Sequence, residues 1–242
     1  MTTVEKPVVV MMRYEMKYLL NPEQNAILKQ GLEGHMLPDQ FGKTSIASLY
    51  YDLPDYRLIR NSIEKPEFKE KIRLRAYGMT TDETPVYLEL KRKAEGIVYK
   101  RRVQTTIPLA KKFFDGDGDI CAPGQINAEI KYFRDYYRNL VPACLIIYDR
   151  VAYCDPDGDL RLTIDDAPRF RVNNLNLTSS MDGTLLLPEG WSILEIKGQQ
   201  AMPLWLARLL SAGKIYKTSF SKYGAAFAQQ FAGVTRKDRA YV

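Results

Sequence analysis

The sequence predicts an α+β protein built on a mostly antiparallel sheet of about eight strands, with helices inserted between some of them. Six segments alternate apolar and charged residues with a period of two, which is the side-chain period of a β-strand. The strands mostly follow one another through short turns, and this favours antiparallel pairing. Because helical segments do not alternate one for one with strands, a doubly wound parallel sheet is not expected.

The clearest alternation lies in residues 68–77, which read FKEKIRLRAY. Lys69, Lys71, Arg73 and Arg75 occupy every second position, so a strand would project all four cations from one face. The opposite face is mostly apolar. Like charges in a row repel each other unless something anionic lies over them. Two interpretations stay open: a solvated outer strand whose cations pair with carboxylates, and a face that binds an anionic ligand.

Five further segments repeat this pattern of ionic groups on one face. They are residues 11–20, 86–93, 145–153, 160–165 and 192–197. A sheet that is open to water can carry such faces, and so can a barrel with a charged interior. A charged interior must be wet or filled by a charged ligand, because unpaired buried charge is very costly.

In chain order, the first strand is predicted at about 8–20. Asn21, Pro22 and Glu23 then begin a helix, because Asn favours the N-cap, Pro the first helical position and an acid the first turn. The next predicted elements are a strand at 44–52, a short helical segment at 53–63, the cationic strand at 68–77, and strands at 85–94 and 97–107. Glu95-Gly96 is a turn signal that joins the last two strands as a hairpin.

The second half of the chain is predicted to contain both helices and strands. The helices are predicted at 108–114, 125–140, 203–212 and 220–231, and the strands at 144–154, 160–172, 184–187 and 191–197. The Asp-rich residues 115–119 resemble a calcium loop, but Ile126 stands where an EF-hand needs glutamate, so a polar turn is preferred. A single domain is predicted over 8–232, with flexible termini at 1–7 and 233–242.

Composition limits the classes of function. The chain has 242 residues, a formal net charge of +6 and a pI near 9.0, and this basic balance suggests an anionic partner. Three cysteines without metal-ligand spacing indicate a reducing compartment, and a single histidine argues against a His-rich metal site. Without a signal peptide or an apolar span, a soluble cytoplasmic protein is expected, with a peripheral place in a membrane complex left open. No nucleic-acid-binding motif is present, so nucleic acid is not an expected partner.

Seven short motifs resemble a known family in their residues and in their order. They are Arg13-Tyr-Glu15-Met-Lys17, Tyr50-Tyr-Asp52, Lys71-Ile-Arg73-Leu-Arg75, Glu89-Leu-Lys91, Tyr148-Asp-Arg150, Glu195-Ile-Lys197 and Phe220-Ser221-Lys222-Tyr223. Together they resemble the VTC (vacuolar transporter chaperone) domain, the polyphosphate polymerase domain of the CYTH-like triphosphate tunnel metalloenzyme superfamily. The resemblance implies an eight-stranded antiparallel β barrel with helices packed on the outside and a basic tunnel for ATP, triphosphate or inorganic polyphosphate.

The resemblance also implies that the terminal phosphoryl group of ATP is transferred to a growing polyphosphate chain with the help of Mn²⁺ or Mg²⁺. Arg and Lys suit this reaction because it requires positioning and charge neutralisation. The predicted catalytic residues are Lys17, Arg73, Arg75, Lys91, Arg150, Arg161 and Lys197. The predicted phosphate-binding residues are Arg13, Lys71, Tyr148, Ser221 and Lys222. The predicted metal ligands are Glu195, Glu89 and Glu15, since hard divalent ions prefer carboxylate, water and phosphate oxygens.

Each of these assignments has a structural alternative, which is cross-strand ion pairing between the cations and the carboxylates. The hydrolase and cyclase branches of the superfamily begin with Glu-x-Glu-x-Lys, whereas Arg13 replaces the first glutamate here, as in the polymerase branch. Ser219 stands where the eukaryotic polymerase has a lysine. The first prediction is therefore a polyphosphate polymerase. The alternatives are a tripolyphosphate or nucleoside triphosphate hydrolase on the same fold, and a non-catalytic polyphosphate- or nucleotide-binding sensor.

Overall fold

The computed structural model describes residues 14–95, 97–156, 158, 160–199 and 201–231. Arg13 and the termini that were predicted to be flexible lie outside these residues. The chain divides into two compact units: unit 1 comprises Met1–Gly42, Val151–Asp165 and Trp191–Ser219, and unit 2 comprises Lys43–Arg150, Asp166–Gly190 and Phe220–Val242. This division does not test the prediction of a single domain over 8–232, which stays a prediction.

The described residues form eleven strands and six helices. The strands are β1 (Tyr14–Leu20), β2 (Leu37–Pro38), β3 (Thr44–Asp52), β4 (Lys69–Tyr77), β5 (Val86–Ala94), β6 (Ile97–Thr105), β7 (Val141–Cys154), β8 (Arg161–Arg171), β9 (Thr184–Leu185), β10 (Ser192–Gly198) and β11 (Lys217–Thr218). The helices are α1 (Pro22–Leu32), α2 (Arg57–Ile63), α3 (Ile107–Phe114), α4 (Gln125–Tyr137), α5 (Leu204–Ala212) and α6 (Lys222–Phe231).

In unit 1 the strand order is β11-β1-β10-β8-β7, and β2 pairs with the end of β7. The antiparallel register of β1 and β10 places Lys17 opposite Glu195, so the charged residues of both strands share one face. The other face is apolar and packs against α1 and α5, where Leu28 and Leu206 are fully buried. This is the arrangement that the alternating residues predict.

Helix α1 begins where the sequence predicts it. The side chain of Asn21 accepts a hydrogen bond from the backbone N–H of Gln24 at 2.8 Å, and the Gln24 side chain accepts one from the backbone N–H of Asn21 at 3.1 Å. This reciprocal capping box satisfies two donors that have no partner within the helix. Pro22 occupies the first turn, as predicted.

In unit 2 the strand order is β8-β7-β3-β4-β5-β6, and β9 pairs with β8. One face of this sheet is apolar, with Ile72, Leu74 and Leu88 almost completely buried. Helices α3 and α4 cover that face and contribute Phe113 and Phe133 to the same cluster. Burial of these large side chains stabilises the unit, since each contributes roughly 1.5–3 kcal/mol of transfer free energy.

The opposite face of unit 2 carries the polar residues. The register aligns Arg73 with Glu89 on β5 and with Tyr50 on β3, so all three side chains project from this face. Helix α6 covers the part of the face that β3 and β7 form, and Tyr223 and Ala226 pack there in an apolar cluster. The remaining part, which β4, β5 and β6 form, is cationic.

The structure confirms the antiparallel α+β architecture and corrects the strand count. Eight of the eleven described strands have seven or more residues, whereas β2, β9 and β11 have two each. The sequence predicted only β9 among these three, because two residues are too few to show a periodic pattern. Within neither unit does the sheet close on itself, and the described strand order ends at β11 on one side and at β6 on the other. The prediction of a closed eight-stranded barrel is therefore wrong for the described strands, because β6 and β11 have no strand partner that closes the sheet. No helix in the described part of the chain is long and apolar enough to cross a membrane.

Candidate functional site

The cationic face of unit 2 is organised around one buried carboxylate, Glu89 on β5, whose side chain is only 2 % exposed. Four cations lie within 4 Å of it. The Nη2 atom of Arg73 lies 2.8 Å from Oε2 and the Nε atom of Arg75 lies 3.7 Å from the same oxygen. The Nζ atom of Lys100 lies 2.8 Å from Oε1, and the Nε atom of Arg102 lies 3.6 Å from it. One negative charge thus faces four positive charges, which leaves the group strongly cationic.

The pKa of Glu89 reflects these neighbours. Burial alone would raise it, but the charges of Arg73 and Arg75 and the contact with Lys100 lower the pKa of Glu89 to about 2. The carboxylate is therefore ionised at any physiological pH. The group keeps three uncompensated positive charges around a buried carboxylate, and an anionic ligand would offset them.

Tyrosine and serine hydroxyls fix the two arginines in place. Arg73 donates from Nη1 to the hydroxyl of Tyr50 at 2.8 Å. Arg75 donates from Nε to Oγ of Ser48 at 3.3 Å and from Nη2 to the hydroxyl of Tyr148 at 3.2 Å. Burial acts to raise the pKa of Tyr50, but the charges of Arg73, Lys71 and Arg75 together outweigh it, so the pKa is lowered. Tyr148, which was predicted to bind phosphate, thus holds Arg75, which was predicted to be catalytic.

The start of helix α6 lies beside this cationic face. The Oγ atom of Ser221 accepts a hydrogen bond from the backbone N–H of Gly224 at 3.2 Å, so Ser221 caps the helix. Lys71 on β4 donates to the same oxygen at 3.4 Å. The ammonium of Lys222 lies 4.3 Å from the centre of the Tyr148 ring. The structure therefore brings together Lys71, Tyr148, Ser221 and Lys222, all of which were predicted to bind phosphate.

A fully buried carboxylate, Asp52, anchors α6 in this position. It accepts hydrogen bonds from the backbone N–H groups of Leu58 and Ile59 at 2.9 and 3.0 Å, which begin helix α2. It also accepts one from the hydroxyl of Tyr223 on α6 at 2.9 Å. Burial raises the pKa of Asp52, although the hydrogen bonds oppose this. Asp52 thus ties α2 and α6 together and orients the start of α6.

In unit 1 the predicted site residues of β1 and β10 form a second charged group. The Nζ atom of Lys17 lies 3.4 Å from Oε1 of Glu15 and 3.8 Å from Oε2 of Glu195. Lys197 forms an ion pair with Oε1 of Glu195. The pair between Lys17 and Glu195 is a cross-strand ion pair of the kind that the sequence offered as the alternative to ligand binding, whereas the other two pairs each lie within one strand.

The residues predicted to hold a metal differ in their fit. Glu15 and Glu195 approach the same ammonium group, and one or two carboxylates completed by phosphate oxygens suit Mg²⁺ or Mn²⁺. Glu89 does not fit, because four cations already surround it and would repel a further one. No group of three or more His, Cys, Asp or Glu residues with metal-binding geometry occurs in the described residues.

Among the other predicted catalytic cations, Lys91 and Arg150 belong to unit 2 and Arg161 to unit 1. Lys91 is exposed on the same face of β5, and its neighbour across the hairpin is Lys100. The guanidinium of Arg150 lies 5.2 Å from the centre of the Tyr148 ring. Arg161 belongs to unit 1, is 56 % exposed at its side chain, and pairs with Asp39 at 3.6 Å.

The sequence analysis assigned neither Lys100 nor Arg102 to the site. Both residues contact Glu89. The sequence did contain a signal for them, because Lys100 and Arg102 occupy alternate positions of β6. The short hairpin therefore places them opposite Lys91 and Glu89. The contact between Asp52 and Tyr223 carried no signal in the local sequence, since the two residues are 171 positions apart in the chain.

Comparison with known proteins identifies the family. A family model of the VTC domain matches residues 12–231. Among solved structures, a candidate adenylate cyclase of Bacillus halodurans is 13% identical with a TM-score of 0.53, over 87% of this chain and 94% of that one. A second candidate adenylate cyclase, of Vibrio parahaemolyticus, is 11% identical with a TM-score of 0.46, over 90% of this chain and 99% of that one. No curated protein matches the chain.

The structural likeness at these low identities concerns the fold alone. The match to the family model shows family membership, because it extends over nearly the whole chain. It includes the segments that carry Arg73, Glu89 and Ser221. The chain therefore belongs to the VTC domain family.

Proposed function

We propose that this protein is a polyphosphate polymerase, a metal-dependent phosphotransferase that moves the terminal phosphoryl group of ATP to a growing inorganic polyphosphate chain. The observation that carries the proposal is the group of four cations around Glu89, which retains three positive charges after that carboxylate is counted. A triphosphate or polyphosphate offers several negative charges in a row and matches such a face. Family membership supports the same substrate class.

Phosphoryl transfer requires chiefly that the phosphates are positioned and that the charge developing between them is neutralised. Arg73 and Arg75 are suited to the transferred phosphate, because hydroxyls and Glu89 already hold their guanidinium groups in place. A guanidinium that is ordered beforehand loses little conformational entropy when it binds. The terminal oxygen of the acceptor chain would attack the γ-phosphorus, and the bond to the β-phosphate oxygen would break to release ADP.

The start of α6 adds a second anion-binding feature. The positive end of the helix dipole attracts a phosphate, and Lys71 and Lys222 add two point charges beside it. Helix α6 has ten residues, so its dipole is well developed. We assign this position to a phosphate of the nucleotide or of the acceptor chain.

Glu195 and Glu15 are the residues that would hold a divalent ion, and such an ion would screen negative charge on the transferring phosphoryl group. Lys17 and Lys197 keep these carboxylates neutralised when no metal is bound. We expect Glu195→Gln to weaken Mn²⁺ binding, whereas Glu89→Gln should leave it unchanged. Titration calorimetry with Mn²⁺ alone measures this without reference to activity.

The test of the proposed function is incubation of the purified chain with ATP and Mn²⁺, followed by phosphorus NMR. Internal phosphate signals of a polymer are the expected result. Arg75→Ala should abolish them, and Arg57→Ala, which removes an exposed arginine of the same unit, should not. Phosphate release without polymer would replace the proposal by a hydrolase, and tight binding without any product would replace it by a sensor.

A further inference from the structure

The cationic face of unit 2 continues past the arginines toward the end of the β4–β5 hairpin. The register places Lys71 opposite Lys91 and Lys69 opposite Lys93. Like charges directly opposite each other on antiparallel strands destabilise the pairing. Two adjacent pairs of this kind therefore need compensation from something outside the two strands.

The two ends of this face differ in how their charge is compensated. Arg73 and Arg75 share Glu89, as described above. By contrast, three lysines at the far end, Lys65, Lys91 and Lys93, form no ion pair within the part of the chain that the structure describes. Lys69 also forms no ion pair there and donates only to the backbone carbonyl of Ser62, at 3.4 Å.

A cavity of about 480 Å³ lies at this end and is lined by Lys65, Pro66, Glu67, Lys93 and Glu95. Glu67 and Glu95 are exposed and do not approach the lysines closely enough to pair with them. The pKa of Lys69 is lowered, first by partial burial and then by the charges of Lys93, Lys65 and Lys91. The four ammonium groups thus act on one another, and an anion in this region would relieve their repulsion.

The opposite end of the face has different chemistry. Tyr77 and Tyr87 follow Arg75 and Glu89 there, and the guanidinium of Arg102 lies 3.7 Å from the centre of the Tyr87 ring. That end offers aromatic rings and Arg102, which already contacts Glu89 and the ring of Tyr87. Arg150 also lies toward that end, beside Tyr148. The lysine end brings four ammonium groups together, so it offers the greater positive charge to a chain that extends beyond the arginines.

We infer that Lys65, Lys69, Lys91 and Lys93 form a binding site for the part of a condensed-phosphate chain that lies beyond the arginine pair. The inference rests on the proposed function for the nature of the anion. From Arg75 to Lys69 the strand extends about 20 Å, at roughly 3.3 Å per residue. This row is longer than the triphosphate group of a nucleotide. The lysine end therefore distinguishes long chains from triphosphates.

The test compares the affinities of inorganic tripolyphosphate and of a long linear polyphosphate by titration calorimetry. The variant Lys69→Gln/Lys93→Gln should lose about 4-fold to 25-fold in affinity for the long chain, at roughly 2-fold to 5-fold for each exposed ion pair. Its affinity for tripolyphosphate should change less than about twofold. The control is Lys111→Gln/Lys112→Gln, which removes two exposed charges from α3 on the other side of the sheet and should change neither affinity.

The outcomes separate the inference from the proposed function. Suppose that the wild-type protein binds both ligands and that the Lys69→Gln/Lys93→Gln variant binds the long chain as tightly as the wild type does. The inference is then overturned, whereas the proposed function is not. An equal loss for both ligands also overturns it, because the lysines would then belong to the triphosphate site. If the wild-type protein binds neither ligand, the proposed function fails and the inference fails with it. Circular dichroism verifies that each variant is folded.

Discussion

Replacement of Glu89 by glutamine tests whether this carboxylate is the counter-ion that holds the cationic group together. Glutamine keeps the size of the side chain and removes its charge. The pKa of Glu89 is about 2 in the folded protein against an ordinary value of 4.5. This difference corresponds to about 3 kcal/mol of stability at pH 7, since each unit of pKa is worth 1.36 kcal/mol. We therefore expect Glu89→Gln to lower the free energy of unfolding by about 3 kcal/mol.

The effect should depend on pH in a defined direction. Because the folded-state pKa is depressed, the stabilisation is fully present above the unfolded value of 4.5 and is lost as the pH falls toward 2. At about pH 3 the difference between the wild-type protein and Glu89→Gln should be roughly half of its value at pH 7. Below the folded-state pKa the two proteins should converge, since the wild-type carboxyl is then neutral too.

Urea unfolding followed by far-UV circular dichroism measures the free energies, at pH 7 and at about pH 3. Trp191 and Trp205 both lie in unit 1, so their fluorescence reports on that unit and helps to separate its unfolding from that of unit 2. The matched control is Glu83→Gln, an exposed carboxylate of unit 2, which should change stability by less than about 0.5 kcal/mol. A Glu89→Gln protein as stable as the wild type at pH 7, or a difference that does not shrink in acid, would refute the reasoning.

Four further predictions follow from particular contacts. Tyr223→Phe should lower the free energy of unfolding by about 1–3 kcal/mol in urea, because buried Asp52 loses a donor, whereas Tyr216→Phe at an exposed position should have no effect. Phe113→Ala should cost about 3–5 kcal/mol in the same assay, since the side chain is fully buried between the sheet and α4; a cost under about 1 kcal/mol would contradict the packing described. Arg73→Lys should weaken tripolyphosphate binding about tenfold by calorimetry, because lysine keeps the charge but cannot reproduce the contacts to both Tyr50 and Glu89; unchanged affinity would remove Arg73 from the site. The Cys144 thiol should resist a thiol reagent until the protein unfolds, because burial raises its pKa to about 12, and rapid modification of the native protein would be inconsistent with that burial.

The alternation of residues determined much of the fold because the side-chain period of a strand is a local property. Residues 68–77 predict both the strand and the face from which its cations project, and the structure confirms both. Asn21 and Pro22 predict the start of α1 in the same way, since capping depends on neighbours a few positions away. Strands as short as β2 and β11 show no period, and only their pairing partners reveal them.

The candidate site was predicted less completely, because a contact between charges depends on strand register as well as on face. The sequence placed Glu89 among the metal ligands, as a carboxylate within a family motif. The cations around Glu89 make it a counter-ion instead. Two of these cations, Lys100 and Arg102, lie on β6, and the β5–β6 hairpin places them beside Glu89. Cross-strand partners of this kind cannot be read from one strand alone.

By itself, the sequence determined that Lys69, Lys71, Arg73 and Arg75 share one face, because a period of two fixes the direction of each side chain. Only the tertiary structure decided which of these cations are compensated. Glu89 neutralises part of the charge at the arginine end. At the lysine end, no carboxylate of the described residues forms an ion pair with Lys69, Lys91 or Lys93. The physical reason is that Coulomb interactions act over a few ångströms in space, and the spacing of residues along a chain does not fix those distances.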